Sequence, residues 1–440
     1  MSNSFIIKNA RYLYTVDDDD SIVENATVVI RDGAIESINP ESLPSDIKEI
    51  YEGKDRLIMP GLINTHSHLA MVLLRGWAES VNLDGFLERV WAAEGAIMDK
   101  ETCALGTELG AAEAIQSGTT TVLDMYLNPE ATHEAAVKVG LRHVTGPIFF
   151  DFPGLDGLEW EQRIANGRAW PTVLKSIGGP QVPVYFMPHS TYTDSPEHLS
   201  EVAQLAKDLG ARIHLHVSET LTENVTVNER YKKSPTQVCE DTGILDVPTV
   251  FGHGIHLSED DISILRSHRG AIAHCPGSNL KLGSGIADYA HYVKNELTVG
   301  LGTDGCSSSN DLDMWSVMRI AAHMVALKRS PADVNPCQIV RAATIDGART
   351  IGIEDLVGSI SVGKRADLIA LDLTALHLTP IHNLAALLVF AAGRSDVIDA
   401  WVDGNRVLSA RTVTHIEVKE LRGRVLDRMR SLDEIKQGNK

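Results

Sequence analysis

Apolar runs recur along the middle of the chain, and most are separated by stretches with a longer period. The runs are "RLIMPGLIN", "GTTTVLDM", "LRHVTGPIFF", "VPVYFMP", "ARIHLHV", "PTVFGH", "GAIAHC" and "LTVGLGTD". Each is short, rich in β-branched or aromatic residues and bounded by turn formers, the pattern of a buried strand. The intervening "KETCALGTELGAAEAIQS" and "SPEHLSEVAQLAKDLG" place apolar residues at helical spacing. Eight strands mostly separated by helices, over about 300 residues, predict a TIM (β/α)8 barrel. A doubly wound open sheet is the runner-up, but no G-x-G-x-x-G follows the first strand.

The two ends have a different texture. "FIIKNARYLYTV", "NATVVIRDGAIESINP" and "IKEIYEGKDRLIMP" read as short strands, with "RDGA" as a hairpin turn. "GSISVGKRADLIALDL" and "DVIDAWVDGNRVLS" resume that style near the other end. We therefore expect residues 1–57 and 358–440 to build one small β-sandwich, the latter adding a C-terminal helix, with the barrel of 58–357 inserted between them. Asp17–Asp20 reads as a solvated turn before it reads as a cation site.

Composition narrows the function. Apolar residues make up 43% and charged residues 22% of the 440, as in a globular protein. No apolar run approaches the roughly 18 residues of a membrane span. The start lacks a basic segment followed by a long apolar one, so no signal peptide is expected. A net charge of −19 argues against a nucleic-acid partner, whose phosphates an acidic surface repels. Five scattered cysteines without a C-x-x-C fit a reducing, cytoplasmic compartment.

In a barrel of this kind the chemistry sits at the C-terminal ends of the strands. Those ends carry His66 and His68, Asp124, His189, His216 followed by Glu219, His253, His274 and Asp304. His66 and His68, two apart, face one way if that segment is a strand. Alone, the pair reads equally as a polar turn; the recurrence of histidine and aspartate at nearly every strand end makes it a metal site. His66, His68, His216 and Asp304 supply three imidazoles and a carboxylate, a donor set for Zn2+ with a position open for water; Fe2+ or Mn2+ suits it too. Zinc lowers the pKa of its water from about 15.7 to about 7. Asp304 would take the proton as hydroxide forms. Glu219 would protonate a ring nitrogen as hydroxide attacks the adjacent carbon, and His253 would hold the attacking group or polarise the substrate. His189 faces substrate, whereas His214, His256, His274, Cys275 and Cys306 read as structural. No lysine ends strand four, so no bridging carbamate is available, and a single metal is expected.

The motifs "PGLINTHSHLAM", "HLHVSE", "FGHGIHL", "HCPGSNLKLGSG", "GLGTDGCSSSND" and "GSISVGKRADLIALD" together resemble the amidohydrolase superfamily over nearly the whole chain. Within it, "MVLLRGWAE" and "PHSTYT" are similar to the methylthioadenosine/S-adenosylhomocysteine deaminase branch, near the triazine and guanine aminohydrolases. The resemblance implies a mononuclear zinc barrel with His66, His68, His216 and Asp304 as ligands, Glu219 as proton shuttle and His253 orienting water. It also implies that Glu94 binds ribose hydroxyls, that His189 contacts substrate, and that the protein is a homodimer or homotetramer. One stretch departs from the pattern. Where related nucleoside deaminases place arginines, this chain has "VTGPIFFDFPGLDGLEWEQRIANGR", with Arg163 as a substitute and an apolar surround of Phe149, Phe150, Phe152 and Trp160. Trp77, Phe86 and Trp91 read either as a stacking surface for a flat ring or as lid packing.

The expected activity is hydrolytic removal of ammonia from an amino-substituted N-heteroaromatic ring such as a purine nucleoside, a purine, a pterin or a triazine, a reaction at a C–N bond other than a peptide bond. The rival reactions on the same metal are triazine dechlorination or dealkylamination, and cyclic-amide opening. A non-catalytic metal-binding scaffold has no need of Glu219 and Asp304 together.

Overall fold

The computed structural model describes residues 3–438; the outermost residues of the expected terminal segments, 1–2 and 439–440, lie outside the described residues. Strands from both ends of the chain form one nine-stranded sheet. Its order is Thr412–Val413, Asn405–Ser409, Val397–Val402, Leu368–Asp372, Arg56–Pro60, Phe5–Tyr14, Ile22–Arg31 and Ala34–Ile38, with Ile50–Glu52 paired to Phe5–Tyr14. The sheet curls on itself: Phe5 stacks on Trp401, three strands away, at 5.5 Å. Between the curled faces lies a small separate core that includes Ile7, Leu13, Val28, Ile30, Ile58, Leu368 and Trp401. The "RDGA" turn forms as expected, with Asp32 and Gly33 both at positive φ (49° and 77°), the signature of a two-residue hairpin turn.

The run "RLIMPGLIN" does not form one strand. Arg56–Pro60 pairs with Leu368–Asp372 in the terminal sheet, and the chain breaks at Gly61 before Leu62–Ser67 begins the parallel system. The expected boundary at 57/58 therefore falls inside a strand. Gly61 is required at the break, because a Cβ there would lie 2.1 Å from the Thr120 hydroxyl.

Parallel strands follow in chain order. Leu62–Ser67, Thr119–Asp124 and Arg142–Val144 form a three-stranded sheet. Ile148–Phe149, Tyr185–Pro188, Arg212–Val217, Thr249–His253, Ala271–His274 and Thr298–Leu301 form a six-stranded one. The last strand returns beside the first: the Thr65 hydroxyl donates to the Leu301 carbonyl at 3.0 Å, and Asp304 N–H donates to the His66 carbonyl at 3.0 Å. The strands are buried on both faces, as parallel strands under a helical layer must be. "LRHVTGPIFF" also divides, into Arg142–Val144 and Ile148–Phe149. Pro147 brings no N–H to the ladder, and Gly146 lies so close to the Tyr185 carbonyl that a Cβ would come within 1.9 Å of its oxygen.

Helices alternate with these strands and are punctuated locally. Lys100–Gln116 starts at Asp99, whose carboxylate accepts from Thr102 N–H; Pro196–Leu209 starts at Ser195 and stops at Gly210 in the left-handed conformation. A buried ion cluster joins the terminal sheet to the parallel strands. Arg142, fully buried, bonds Asp367 and Asp403 at 2.8 Å each, and Arg365 reaches Asp403 at 2.7 Å. The terminal helix Val418–Gly438 returns to Lys100–Gln116 through Arg424 and Glu108, 2.6 Å apart. Among the described residues no helix is long and apolar enough to cross a membrane.

Candidate active site

The site is assembled where the parallel strands end. His66 is the next-to-last residue of Leu62–Ser67, and His68 follows it; His216 lies near the end of Arg212–Val217, with Glu219 just beyond. His253 closes Thr249–His253, and Asp304 lies three residues past Leu301. At three of these ends the backbone turns through the left-handed region without glycine: Ser218 (φ 53°), His253 (φ 69°) and Asp304 (φ 61°). Each such residue costs roughly 1–2 kcal/mol, a strain that clusters at functional positions.

Side-chain nitrogens and oxygens converge on one point. The donor atoms of His66, His68 and His216 lie within 4.8 Å of one another, as do those of His66, His253 and Asp304. Asp304 Oδ1 is 3.5 Å from His66 Nε2 and 3.2 Å from His68 Nε2. The far nitrogens are engaged: His68 Nδ1 bonds the Met125 carbonyl and His216 Nδ1 the His189 carbonyl, which fixes each ring with Nε2 toward the centre. His66 Nε2 is buried and has no hydrogen-bond partner. A buried, unpartnered imidazole nitrogen beside a carboxylate is what a divalent metal ion would satisfy, so the residues fit that group.

The electrostatics agree with the donor set. Burial pulls the His66 imidazole down to about 4, so it is neutral at ordinary pH, whereas at His68 burial is outweighed by the neighbouring Asp304 carboxylate, which raises it to about 9, a proton that a bound metal would have to displace. Burial alone would raise the Asp304 carboxyl, but the imidazoles of His66 and His68 beside it outweigh burial and hold the group well below the usual carboxylate range. Asp304 Oδ2 also accepts from the Ser278 and Ser308 hydroxyls at 2.6 and 2.7 Å. The Glu219 carboxyl is raised by its own burial, and its Oε2 stands 3.7 Å from His253 Nε2.

A cavity of about 430 Å³ opens over this centre, within the usual range for small-molecule sites. His68, His216, Glu219, His253 and Asp304 form its floor, while Phe86, Leu127, Ile148 and Phe150 contribute to its largely apolar walls. The helix Leu83–Ile97 faces it with Leu83, Phe86, Leu87, Val90, Trp91 and Glu94, one stripe at helical spacing. Glu94 is buried there, accepts from the Tyr126 hydroxyl at 2.6 Å, and is pushed up to about 7 by burial. His189 lines the same cavity, its ring 4.7 Å from that of His216.

Two expected substrate contacts lie elsewhere. Trp77 is 42% exposed and is not among the cavity-lining residues, although Phe86 and Trp91 are. Arg163 is buried with its guanidinium on Asp156 (2.7 and 3.0 Å) and on the Ile148 carbonyl, 5.1 Å over the Phe150 ring. Its charge is committed to holding the Phe150–Asp156 loop, and it lines a neighbouring pocket rather than this one. Arg163 has the length and charge for a substrate contact, but Asp156, in the loop before its helix, takes the guanidinium instead.

Several contributors were not singled out from sequence. Glu223 accepts from the N–H groups of Ser218 and Glu219 at 2.9 and 2.8 Å and so fixes the turn that carries Glu219. The spacing Thr220-x-x-Glu223 at a helix start was its available signal. Asn279 holds His253 Nδ1 at 2.9 Å, and Tyr126 holds Glu94. His214, expected as an interior residue, is fully buried, but its Nε2 lies 2.7 Å from His66 Nδ1.

Known proteins resemble this chain over most of its length. The amidohydrolase family matches residues 57–407. A 5-methylthioadenosine/S-adenosylhomocysteine deaminase of Acetivibrio thermocellus is 35% identical over 96% of this chain and 100% of its own. A 5'-deoxyadenosine deaminase of Methanosarcina mazei is 35% identical over 98% and 96%. Among solved structures, an adenosine deaminase of Xanthomonas campestris with bound zinc superposes with a TM-score of 0.91 at 30% identity, covering 98% of both chains. The zinc complex of an Arthrobacter aurescens atrazine chlorohydrolase reaches a TM-score of 0.88 over 96% and 99%, but at 21% identity it speaks for the fold alone. With a family match over most of its length, and a convergent histidine–aspartate centre at its strand ends, the chain belongs to the amidohydrolase family.

Proposed function

We propose that this protein is a mononuclear zinc deaminase that hydrolyses an amino-substituted N-heteroaromatic ring of the adenine nucleoside type, releasing ammonia. The parallel strands are read as one (β/α)8 barrel whose third strand is interrupted at Gly146–Pro147. The curled terminal sheet is its companion domain, and Gly61 is the division between them. His66, His68, His216 and Asp304 would hold the metal. When bound, zinc supplies a water acidic enough to lose its proton near neutrality.

The observation that carries this reading is the placement of Glu219, a buried carboxyl of raised pKa, on the cavity floor with Asp304 and His253. Glu219 in its acid form donates to a ring nitrogen as water adds to the neighbouring carbon. Asp304 accepts the proton that the water gives up and passes it to the departing amino group; His253 orients the water. The balance is C–NH2 plus water giving C=O plus ammonia. Glu94, held by Tyr126, accepts hydroxyls of the sugar, while Phe86, Trp91 and Phe150 enclose the ring. The deaminase names of relatives 34–35% identical support the same class. Chloride needs no proton to depart, so a dechlorinating reading leaves Glu219 without its task.

The test is product analysis with zinc-loaded protein. Methylthioadenosine, 5'-deoxyadenosine and adenosine are offered beside a chlorotriazine, and ammonia and chloride are measured. Ammonia from the nucleosides is expected; chloride without ammonia overturns the reading.

A further inference from the structure

We infer that His214 is a positioning residue that fixes the tautomer of His66, so that the sheet register itself presents a lone pair on His66 Nε2 to the metal. The inference rests on the metal centre proposed above, not on the identity of the substrate.

The argument follows one proton at a time. His214 Nδ1 lies 3.0 Å from the Val250 carbonyl oxygen. A carbonyl can only accept, so the hydrogen is on Nδ1. A neutral imidazole has one N–H, and His214 Nε2 is therefore an acceptor. That acceptor lies 2.7 Å from His66 Nδ1, and only a donor is accommodated at that distance. His66 thus carries its hydrogen on Nδ1, and Nε2 is left as a lone pair. This is the nitrogen that is buried without a hydrogen-bond partner and that converges with the donors of His68, His216, His253 and Asp304. The reverse order would place an N–H on His66 Nε2, where it could not ligate.

The relay also answers a geometric problem. His68 and His216 are held directly by backbone carbonyls, those of Met125 and His189. His66, fully buried inside the ring of strands, is held instead through a second imidazole that reaches it from the strand Arg212–Val217. His214 and His216 share one face of that strand, so one residue ligates while the other supports. The pairing of His214 with Val250 is part of the strand register. Three strands, Leu62–Ser67, Arg212–Val217 and Thr249–His253, are thereby tied to the protonation pattern of one ligand. The two rings meet edge to face, with centroids 4.8 Å apart at 70°.

The experiment compares three variants of the full chain. His214→Gln keeps a donor for Val250 and an acceptor for His66. His214→Met fills the space and offers His66 no acceptor of comparable strength. His214→Asn has the same amide but is one carbon shorter. Zinc affinity is measured by competition with a chromophoric chelator, the visible spectrum of the cobalt-substituted protein reports the ligand set, and circular dichroism with apo-state melting reports the fold. Loss of a group that orients a metal ligand typically costs about 10- to 100-fold in affinity. We expect that loss for Met and Asn, with an altered cobalt spectrum and no matching fall in apo-state melting, and an affinity within about threefold of wild type for Gln. Wild-type zinc affinity in a folded Met variant, or equal losses in Gln and Met, overturns the inference. Should the Met variant not fold, the Gln and Asn pair decides: equal affinities overturn it. Failure to release ammonia from any nucleoside would overturn the proposed activity while leaving these readouts intact.

Discussion

Replacing Glu94 by glutamine should make the protein more stable and less active, and the stability gain should depend on pH in a specified way. The Glu94 carboxyl is 4% exposed and its titration is pushed from 4.5 to about 7 by burial, against the Tyr126 hydroxyl that stabilises the carboxylate. A folded-state pKa above the unfolded value means that the folded chain prefers the acid form. That contribution to stability is complete below about pH 4.5 and is lost as the pH rises to about 7. Each pH unit in this window is worth about 1.36 kcal/mol, so ionised Glu94 destabilises the fold by about 3 kcal/mol at about pH 8. Glutamine has the same shape, carries no charge and still accepts from Tyr126. With an unfolding entropy of about 2.1 cal/mol/K per residue over 440 residues, the gain appears as a Tm higher by about 3 °C at about pH 8 and by nothing below about pH 4.5. Scanning calorimetry of both proteins across this range measures it. A variant Tm that is equal or lower at about pH 8, or an offset independent of pH, refutes the reasoning. KM for the nucleoside should rise in the same variant, because a neutral amide is a weaker acceptor for hydroxyls than a carboxylate.

Glu223→Ala leaves the N–H groups of Ser218 and Glu219 without their acceptor; kcat should fall about 10²-fold with zinc content unchanged, and an unaffected kcat would refute the positioning role. Arg142→Met leaves Asp367 buried opposite no charge, and chemical denaturation should show a loss of about 3–5 kcal/mol; a neutral outcome would mean that the cluster does not clamp the terminal sheet. Trp91→Ala should raise KM about tenfold or more, as truncation of an aromatic anchor lining a binding pocket does, whereas Trp77→Ala should leave KM near wild type because Trp77 lies outside the cavity; the reverse ranking would misplace the substrate.

Much of the site was legible in the sequence because its signal is periodic. A parallel strand is an apolar run, and the first polar residue after it marks the end at which chemistry collects. His66, His68, His216, Glu219, His253 and Asp304 were all readable by that rule, and they converge in space. What was not legible depends on partners far away in the chain. "RLIMPGLIN" is uniformly apolar, so nothing local divides Arg56–Pro60, which pairs with residues near 370, from Leu62–Ser67, which pairs with residues near 120. The break in "LRHVTGPIFF" is set by the Tyr185 carbonyl pressing on Gly146. Arg163 looked available because its partner, Asp156, sits in a loop without periodicity. His214 read as an ordinary interior residue and Tyr126 carried no local signal, since their roles are visible only in which side chain they hold.

The most direct measurement is a zinc titration of metal-free protein, followed by the initial rate of ammonia release from methylthioadenosine or, should it turn over faster, 5'-deoxyadenosine. The account predicts negligible ammonia without metal and a rate that climbs linearly to a sharp break at about one zinc per chain, the stoichiometry of a single catalytic zinc with one open position. A break at two metals per chain, or full zinc occupancy with no ammonia from either nucleoside, would contradict it.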